Sequence, residues 1–154
     1  MPSDSSVIKV RLPDDSVREL PAGATGLDLA QSIGKRLAQA AVATVVNGVE
    51  TDLGVALADG AQVSIVTSDS DAGRHVLRHS TAHVLAQAVV QLFEGAKFTI
   101  GPAIEDGFYY DFELPNNKTF SDADLVAIAE RMQQIVAADQ PFVRSEMSAD
   151  DALK

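Results

Sequence analysis

The chain has 154 residues, of which 46% are hydrophobic and 5% aromatic, and its formal net charge is −10. This size and composition fit one or two small domains with a mainly aliphatic core. The acidic balance argues against a wide nucleic-acid surface, and a sequence without cysteine excludes disulfides and thiolate metal sites.

The first half of the chain predicts short strands around one helix. Alternating apolar residues indicate strands, and apolar residues four apart, preceded by a Thr25–Asp28 capping pair, indicate the helix. An Asn-Gly pair at Asn47 and Gly48 suits the positive φ angles of a tight hairpin turn. The predicted elements are strands 7–12 and 17–23, a helix over 25–39, a strand–turn–strand over 41–53, and a strand over 61–67. This order is typical of a ubiquitin-like β-grasp.

The second half predicts an α+β arrangement that follows a polar linker at residues 68–73. Ser121 and Asp124 mark the N-terminus of its second helix, whose apolar stripe is Leu125, Ile128, Met132, Ile135 and Val136. The predicted elements are a helix over 74–93, a strand over 97–100, a glycine-bearing loop, an aromatic strand over 108–114, a helix over 121–138, a strand near 142–147 and a helix start at Ser148. We expect this half to be incomplete.

All three histidines of the chain, His75, His79 and His83, lie four residues apart on the predicted helix 74–93. At ~100° per residue they fall nearly opposite an apolar stripe. Their own side carries small apolar residues instead of Lys or Glu, which favours a pocket over a solvated face. The stripe is Leu77, Val84, Leu85, Ala88 and Leu92, and the small neighbours are Ala82, Ala86 and Val90.

Two kinds of chemistry fit this histidine spacing. Imidazoles at i and i+4 can bind one metal ion, but His75 and His83 are ~12 Å apart along the axis, so at most two of the three share a metal. Neutral imidazoles can instead place a water or a hydroxyl beside a scissile ester. An HxxxH pair alone does not choose between a metal at His79 and His83 and metal-free catalysis.

Several motifs together resemble those of bacterial threonyl-tRNA synthetase. "HSTAHVLAQAV" (79–89) and "IGPAIEDGFYYDF" (100–112) resemble the start of its editing domain, which is related to the editing module of alanyl-tRNA synthetase. "LPDDSVRELPAGATGLDLAQSIG" (12–34), "VNGVETDL" (46–53) and "DGAQVSIVT" (59–67) resemble the TGS domain that precedes it. The motifs cover nearly the whole chain in the order of that family.

The resemblance implies an α+β fold, with a β-grasp TGS domain over residues 1–68 and the N-terminal part of a threonyl/alanyl-type editing domain over 69–154. For the full-length enzyme it implies ligation of threonine to tRNA with ATP and hydrolysis of serine wrongly attached to that tRNA. Serine lacks one methyl group of threonine, and such a difference gives only ~10- to 200-fold discrimination, so a second site must remove the error.

The resemblance also implies cofactors and partners. ATP, Mg²⁺ and a structural zinc belong to a catalytic core outside these residues, and no cofactor is implied for the 154 residues themselves. The full-length enzyme is expected to be a homodimer, and the fragment to bind tRNA weakly.

No apolar run approaches the ~18 residues that a membrane span requires, and the N-terminus lacks the basic-then-apolar order of a secretory signal. We therefore expect a cytoplasmic protein with no membrane partner.

Three residues of the chain match pocket residues of the family. His79 and His83 match its HxxxH motif and would be catalytic residues of the deacylation pocket, where they hold a water or the terminal ribose. Tyr110 matches a tyrosine that contacts the substrate, and His75 has no counterpart. A lysine and a CxxxH element of the family's pocket are not found in these 154 residues, so we expect the fragment alone to be inactive.

Two other classes of protein remain open on the sequence. A free-standing editing hydrolase would share the histidines, although the missing CxxxH element counts against it. A TGS-containing regulatory or binding protein would share the first half, although it does not explain HSTAH and GFYYDF. Without the resemblance, Tyr109 and Tyr110 would be interpreted as core residues, because aromatic residues on strands are more often core than site.

Overall fold

The computed structural model describes residues 7–141 and 146–152. The strands along these residues are β1 (Val7–Arg11), β2 (Val17–Pro21), β3 (Ala41–Val46), β4 (Val49–Thr51), β5 (Val63–Thr67), β6 (Lys97–Phe98), β7 (Ala103–Ile104), β8 (Gly107–Phe108) and β9 (Phe112–Glu113). The helices are α1 (Gly26–Ile33), α2 (Lys35–Ala40), α3 (Asp71–Leu92), α4 (Asp122–Ala137) and α5 (Ala149–Ala152). Within the described ranges, no helix is long and apolar enough to cross a membrane.

The first half of the chain has the predicted β-grasp arrangement. Strands β1 and β2 form an antiparallel hairpin, and β3 lies between β4 and β5 in a three-stranded sheet. The end of β1 runs parallel to the segment before β5, because Arg11 bridges Gln62 and its backbone N–H donates to the carbonyl of Ala61 at 2.9 Å. The two sheets therefore meet along β1.

One predicted helix of this half is two helices in the structure. The interruption is at Gly34, whose backbone is extended with φ 171° and ψ 147°. Its N–H ends α1 by donating to Ala30, and its carbonyl accepts from Ala38 to begin α2. The continuous helix over 25–39 is therefore wrong, because a glycine lacks the helix preference that would carry the chain through this position.

Two local predictions in the same half are confirmed. The N–H and hydroxyl of Thr25 each donate to the Asp28 carboxylate at 2.8 Å, and the Asp28 N–H donates back to the Thr25 hydroxyl at 3.3 Å. Asn47 and Gly48 both have positive φ, 51° and 84°, as a tight hairpin turn requires. These short-range signals fix where α1 begins and where β3 turns into β4.

The first hydrophobic core is aliphatic and closely packed. Leu29, Val10 and Val63 have no exposed surface. Gly26 lies so close to Thr44 that an added Cβ would overlap the Thr44 methyl group. The buried members of this core are Ile8, Val10, Leu12, Leu20, Ala24, Leu29, Leu57, Ala61 and Val63.

The segment predicted as a linker is an ordered junction. Helix α3 begins at Asp71, so residues 71–73 are helical. The Ser70 hydroxyl donates to the Thr67 carbonyl at 2.7 Å and accepts from the Gly73 N–H at 3.0 Å. A Cβ at Gly73 would overlap the carbonyl oxygen of Thr67. The linker prediction is wrong because serine, aspartate and glycine, which favour loops, here cap a helix and allow its close approach to β5.

The second hydrophobic core is formed between α3, α4 and the segment around β9. Ile128 and Ile135 of α4 are buried in it, whereas Leu125 and Val136, predicted on the same stripe, are exposed. The buried members are Ala88, Val89, Leu114, Ile128 and Ile135, with Val84, Leu85, Phe93, Ala96, Phe112, Phe120 and Met132 packed around them. All eight aromatic residues of the chain lie at position 93 or later, so the first core is built without a ring.

The predicted aromatic strand over 108–114 is wrong as a single element. Its ends belong to different strand pairs, since β8 pairs with β7 and β9 pairs with β6. The start of α4 is as predicted, with a Ser121–Asp124 capping box. The strand predicted near 142–147 falls mostly on residues outside those described. Helix α5 begins after Ser148, as predicted.

Contacts between Cα atoms divide the chain into two compact units. One contains residues 7–82 together with 101–109, and the other contains 83–100 and the described residues from 110 onward. The predicted domain boundary between residues 68 and 69 stays a prediction.

Candidate functional site

The three histidines lie on helix α3, which spans 22 residues. Ser70 begins this helix by accepting the Gly73 N–H. His75, His79 and His83 are all exposed side chains. Because an α-helix rises 1.5 Å per residue, His79 and His83 are one turn, or about 6 Å, apart along the axis. The helix thus presents two accessible imidazoles at the spacing that the HxxxH motif predicts.

The surroundings of the histidines differ from the prediction. Ala82 and Ala86, expected to leave room for a substrate, are only 1% and 6% exposed. Other protein atoms therefore cover these two positions. Leu77 and Leu92, expected on the buried stripe, are more than 40% exposed. The stripe is buried only in its middle, where Val84, Leu85 and Ala88 meet the second core.

The glycine-bearing loop after β6 forms a short hairpin beside the first half of α3. Strands β7 and β8 pair through two residues each, around a turn at Glu105 and Asp106. The guanidinium of Arg78, one residue before His79, donates to the carbonyl of Ile104 at 3.4 Å. Arg78 was not predicted from the sequence as a site residue, and an arginine on a helix gives no signal of the loop it contacts.

Tyr110 lies just before β9 and is partly buried among aromatic rings. Its ring stacks on that of Phe112, with centroids 5.0 Å apart and planes at 20°. It also meets the ring of Phe98 edge-on at 6.0 Å. Its neighbour Tyr109 is 55% exposed. The two tyrosines therefore have different environments, and Tyr110 combines the predicted site position with packing against apolar rings.

The described part of the chain offers no preformed metal centre. Within residues 7–141 and 146–152, no group of three or more His, Asp or Glu side chains is arranged to hold an ion. Two histidines on one helix supply at most two ligands, and structural zinc sites use four. Among the described residues, no third ligand for a metal joins His79 and His83.

Two of the cavities formed by described residues lie in the second half of the chain. One, of about 300 Å³, is lined by Phe93, Glu94, Leu114, Pro115, Lys118, Thr119 and Asp124. The other, of about 360 Å³, is lined by Lys97, Phe98, Thr99, Asp111, Phe112 and Glu113. Neither is lined by His79, His83 or Tyr110, so the candidate site is not an enclosed pocket within these two cavities.

A family model for the TGS domain matches residues 8–67, the part of the chain in which the β-grasp was found. Residues 8–67 are a TGS domain. The match ends at Thr67, which is the last residue of β5 and accepts the hydrogen bond from the Ser70 hydroxyl. The TGS domain thus accounts for the first core and not for the helix that carries the histidines.

The whole chain is similar to threonine–tRNA ligases. It is 52% identical to that of Maricaulis maris over 147 residues, which are 96% of this chain and 22% of the relative. It is 50% identical to that of Citrifermentans bemidjiense over 95% of the chain and 23% of the relative, and 44% identical to that of Chlorobium phaeovibrioides over 96% and 22%. The chain corresponds to the N-terminal part of these ligases and spans less than a quarter of their length.

Proposed function

We propose that this chain is part of a threonine–tRNA ligase, and that its histidine helix serves the removal of serine from mischarged tRNA. The complete enzyme attaches threonine to its tRNA with ATP. The observation that carries the editing assignment is the exposed His79–His83 pair, one turn apart on α3, in a chain about half identical to ligases of this name. No such observation favours a free-standing hydrolase or a regulatory TGS protein.

The chemistry asked of this pair is ester hydrolysis. A neutral imidazole can accept a proton from a water and orient it toward the ester carbonyl, and a second imidazole one turn away can hold the ribose hydroxyl beside that ester. His79 and His83 would take these roles, and Tyr110 would contact the aminoacyl group. His75 lies one turn further from His83 and takes neither role.

Other ligands of the ligase would be bound elsewhere. ATP, Mg²⁺ and a structural zinc would be held by sequence that this chain does not contain, and no step at the histidine helix needs them. Threonine, serine and tRNA would be the substrates, and the complete enzyme would be a cytoplasmic homodimer. The 154 residues alone would hold tRNA weakly, because their net charge of −10 opposes phosphate binding.

The test is a pair of matched substitutions in the complete ligase. His83→Ala should slow the hydrolysis of seryl-tRNA by ~10² to 10⁴-fold, the usual range for a group that transfers or positions a proton. His75→Ala is the control, since it removes another exposed histidine from the same helix. Threonine attachment should be nearly unchanged in both variants.

Two results would contradict the proposal. One is equal deacylation by the wild type and the His83→Ala variant. The other is robust hydrolysis of seryl-tRNA by these 154 residues alone, which would favour the free-standing hydrolase.

A further inference from the structure

Tyr110 belongs to a continuous row of aromatic rings in the second half of the chain, between Phe98 and Phe112. Phe112, on which Tyr110 stacks, meets Phe120 edge-on at 5.9 Å, and Phe120 meets Phe93 edge-on at 5.4 Å. Phe93, Phe112 and Phe120 all pack against the second core. Phe98, on the other side of Tyr110, is 52% exposed. The row therefore runs from the surface into the core.

The backbone explains why three of these rings share one face. Phe98 of β6 is the direct partner of Phe112 of β9. The pairing is prolonged by the Thr99 N–H, which donates to the carbonyl of Asp111 at 3.2 Å. Tyr110 stands two residues before Phe112, and residues two apart on extended backbone point to the same face. Diagonal neighbours on such a face lie within reach of aromatic side chains.

From this arrangement we infer that Phe112 and Phe98 are positioning residues for Tyr110, a role that rests on the proposed editing function. A stacked ring on one side and an edge-on ring on another restrict the rotation of the tyrosine side chain about its own bonds. The phenolic hydroxyl is then held in one place before the aminoacyl ester arrives. Positioning of this kind matters for rate, since a displacement of about 1 Å at a reacting centre costs ~10²-fold.

The experiment is a double-mutant cycle in the complete ligase, with seryl-tRNA hydrolysis as the measurement. Tyr110→Phe removes the hydroxyl, and Phe112→Leu removes the stacked ring. Each should lower kcat for hydrolysis, Phe112→Leu by about 10- to 100-fold. If Phe112 acts through the hydroxyl of Tyr110, the double variant should be no slower than Tyr110→Phe, whereas independent effects would multiply.

Two further variants separate positioning from loss of structure. Phe112→Tyr keeps a ring that can stack and should retain hydrolysis. Phe120→Leu removes a ring that contacts Phe112 but is not the partner of Tyr110, and it should disturb the same core with little effect on hydrolysis. If Phe112→Leu fails to fold, Phe98→Leu takes its place in the cycle, because the half-exposed Phe98 contributes less to the core.

Failure of the positioning inference can be told apart from failure of the proposed function. If His83→Ala leaves hydrolysis intact, the proposed function fails. If His83→Ala abolishes hydrolysis but Tyr110→Phe has no effect, or the cycle multiplies, or Phe120→Leu is as damaging as Phe112→Leu, the positioning inference is overturned. The positioning inference is supported if the effects of Tyr110→Phe and Phe112→Leu do not multiply and Phe112→Tyr retains hydrolysis.

Discussion

The two hydrophobic cores of this chain differ in the side chains packed around them and in the number of paired strand residues beside them. The first core, in the TGS domain, is aliphatic and lies under a hairpin of five residue pairs and a three-stranded sheet. The second core also has an aliphatic centre, but aromatic rings pack around it, and its β6–β9 pair has two residue pairs. An isolated pair of short strands is marginally stable in water, so the second core depends on side-chain packing more than on its strands.

The two halves also differ in how many large apolar side chains they leave exposed. Several large apolar side chains of the second half remain exposed, including Phe98 at 52% and Ile100 at 80%. Exposed apolar surface is a common mark of an interaction face. The candidate site residues His83 and Tyr110 lie in this second half, and the TGS domain has the better closed core.

The largest loss of stability should come from truncating a buried side chain in either core. Leu29→Ala removes a fully buried side chain from the first core and Ile135→Ala removes one that is 6% exposed from the second, so each should lower the free energy of unfolding by about 2–5 kcal/mol. Native-state hydrogen exchange would locate the loss. If the cores are separate cooperative units, Leu29→Ala should speed exchange in β1 and β3, and Ile135→Ala in α4. Acceleration throughout the chain by either variant would show a single unit.

A medium effect should follow from adding one methyl group where the TGS domain is most closely packed. Gly26→Ala would press a Cβ into the buried Thr44, and overpacking of this kind costs about 1–3 kcal/mol. Gly34→Ala is the matched control, since its added Cβ meets no atom within 4 Å and its extended backbone suits any residue. Urea unfolding of both variants is the measurement. Equal midpoints would contradict the close packing described for Gly26.

The smallest loss of stability should come from removing a capping box, and each half of the chain has one. Thr25→Ala and Ser121→Ala should each cost about 1 kcal/mol at neutral pH, because each removes an N-cap hydroxyl. Hydrogen bonds from the Thr25 N–H and hydroxyl lower the pKa of Asp28, and hydrogen bonds from the Ser121 hydroxyl and N–H lower the pKa of Asp124.

The pH dependence of this effect has a definite sign. A carboxyl group whose pKa is lower in the folded state stabilises the fold above its unfolded pKa and loses that contribution as the pH falls through the folded pKa. The penalty of each cap variant should therefore be full at neutral pH and shrink below the ordinary aspartate value of 3.8. Urea unfolding at neutral pH and below 3.8 measures the penalty of each variant. A penalty that grows in acid would contradict the proposed role of the two aspartates.

Short-range signals in the sequence predicted much of the fold. The capping boxes at Thr25 and Ser121 and the Asn47–Gly48 turn depend on residues next to one another, and all three are found. The break at Gly34 was missed because the four-residue apolar spacing of Leu29, Ile33 and Leu37 continues across it. The division of the 108–114 segment was missed for another reason: local strand preference does not identify the partner strand, and β8 and β9 have different partners.

The candidate site was predictable to the same extent. The spacing of His79 and His83 on one helix follows from the sequence and is found in the structure. The covering of Ala82 and Ala86 does not follow from it, because small residues are equally suited to admitting a ligand and to close packing. The stack of Tyr110 on Phe112 could have been proposed from their separation by two residues in an extended segment.

The junction at Gly73 bears on how this domain can be passed from one protein to another. A TGS module cut after Thr67 would leave behind the Ser70 hydroxyl that bonds to the Thr67 carbonyl and the glycine that lets α3 approach it. A new neighbour joined at that point would have to supply both a capping residue and a position without a side chain. A transfer that carries residues up to Arg74 along with the domain keeps these contacts intact.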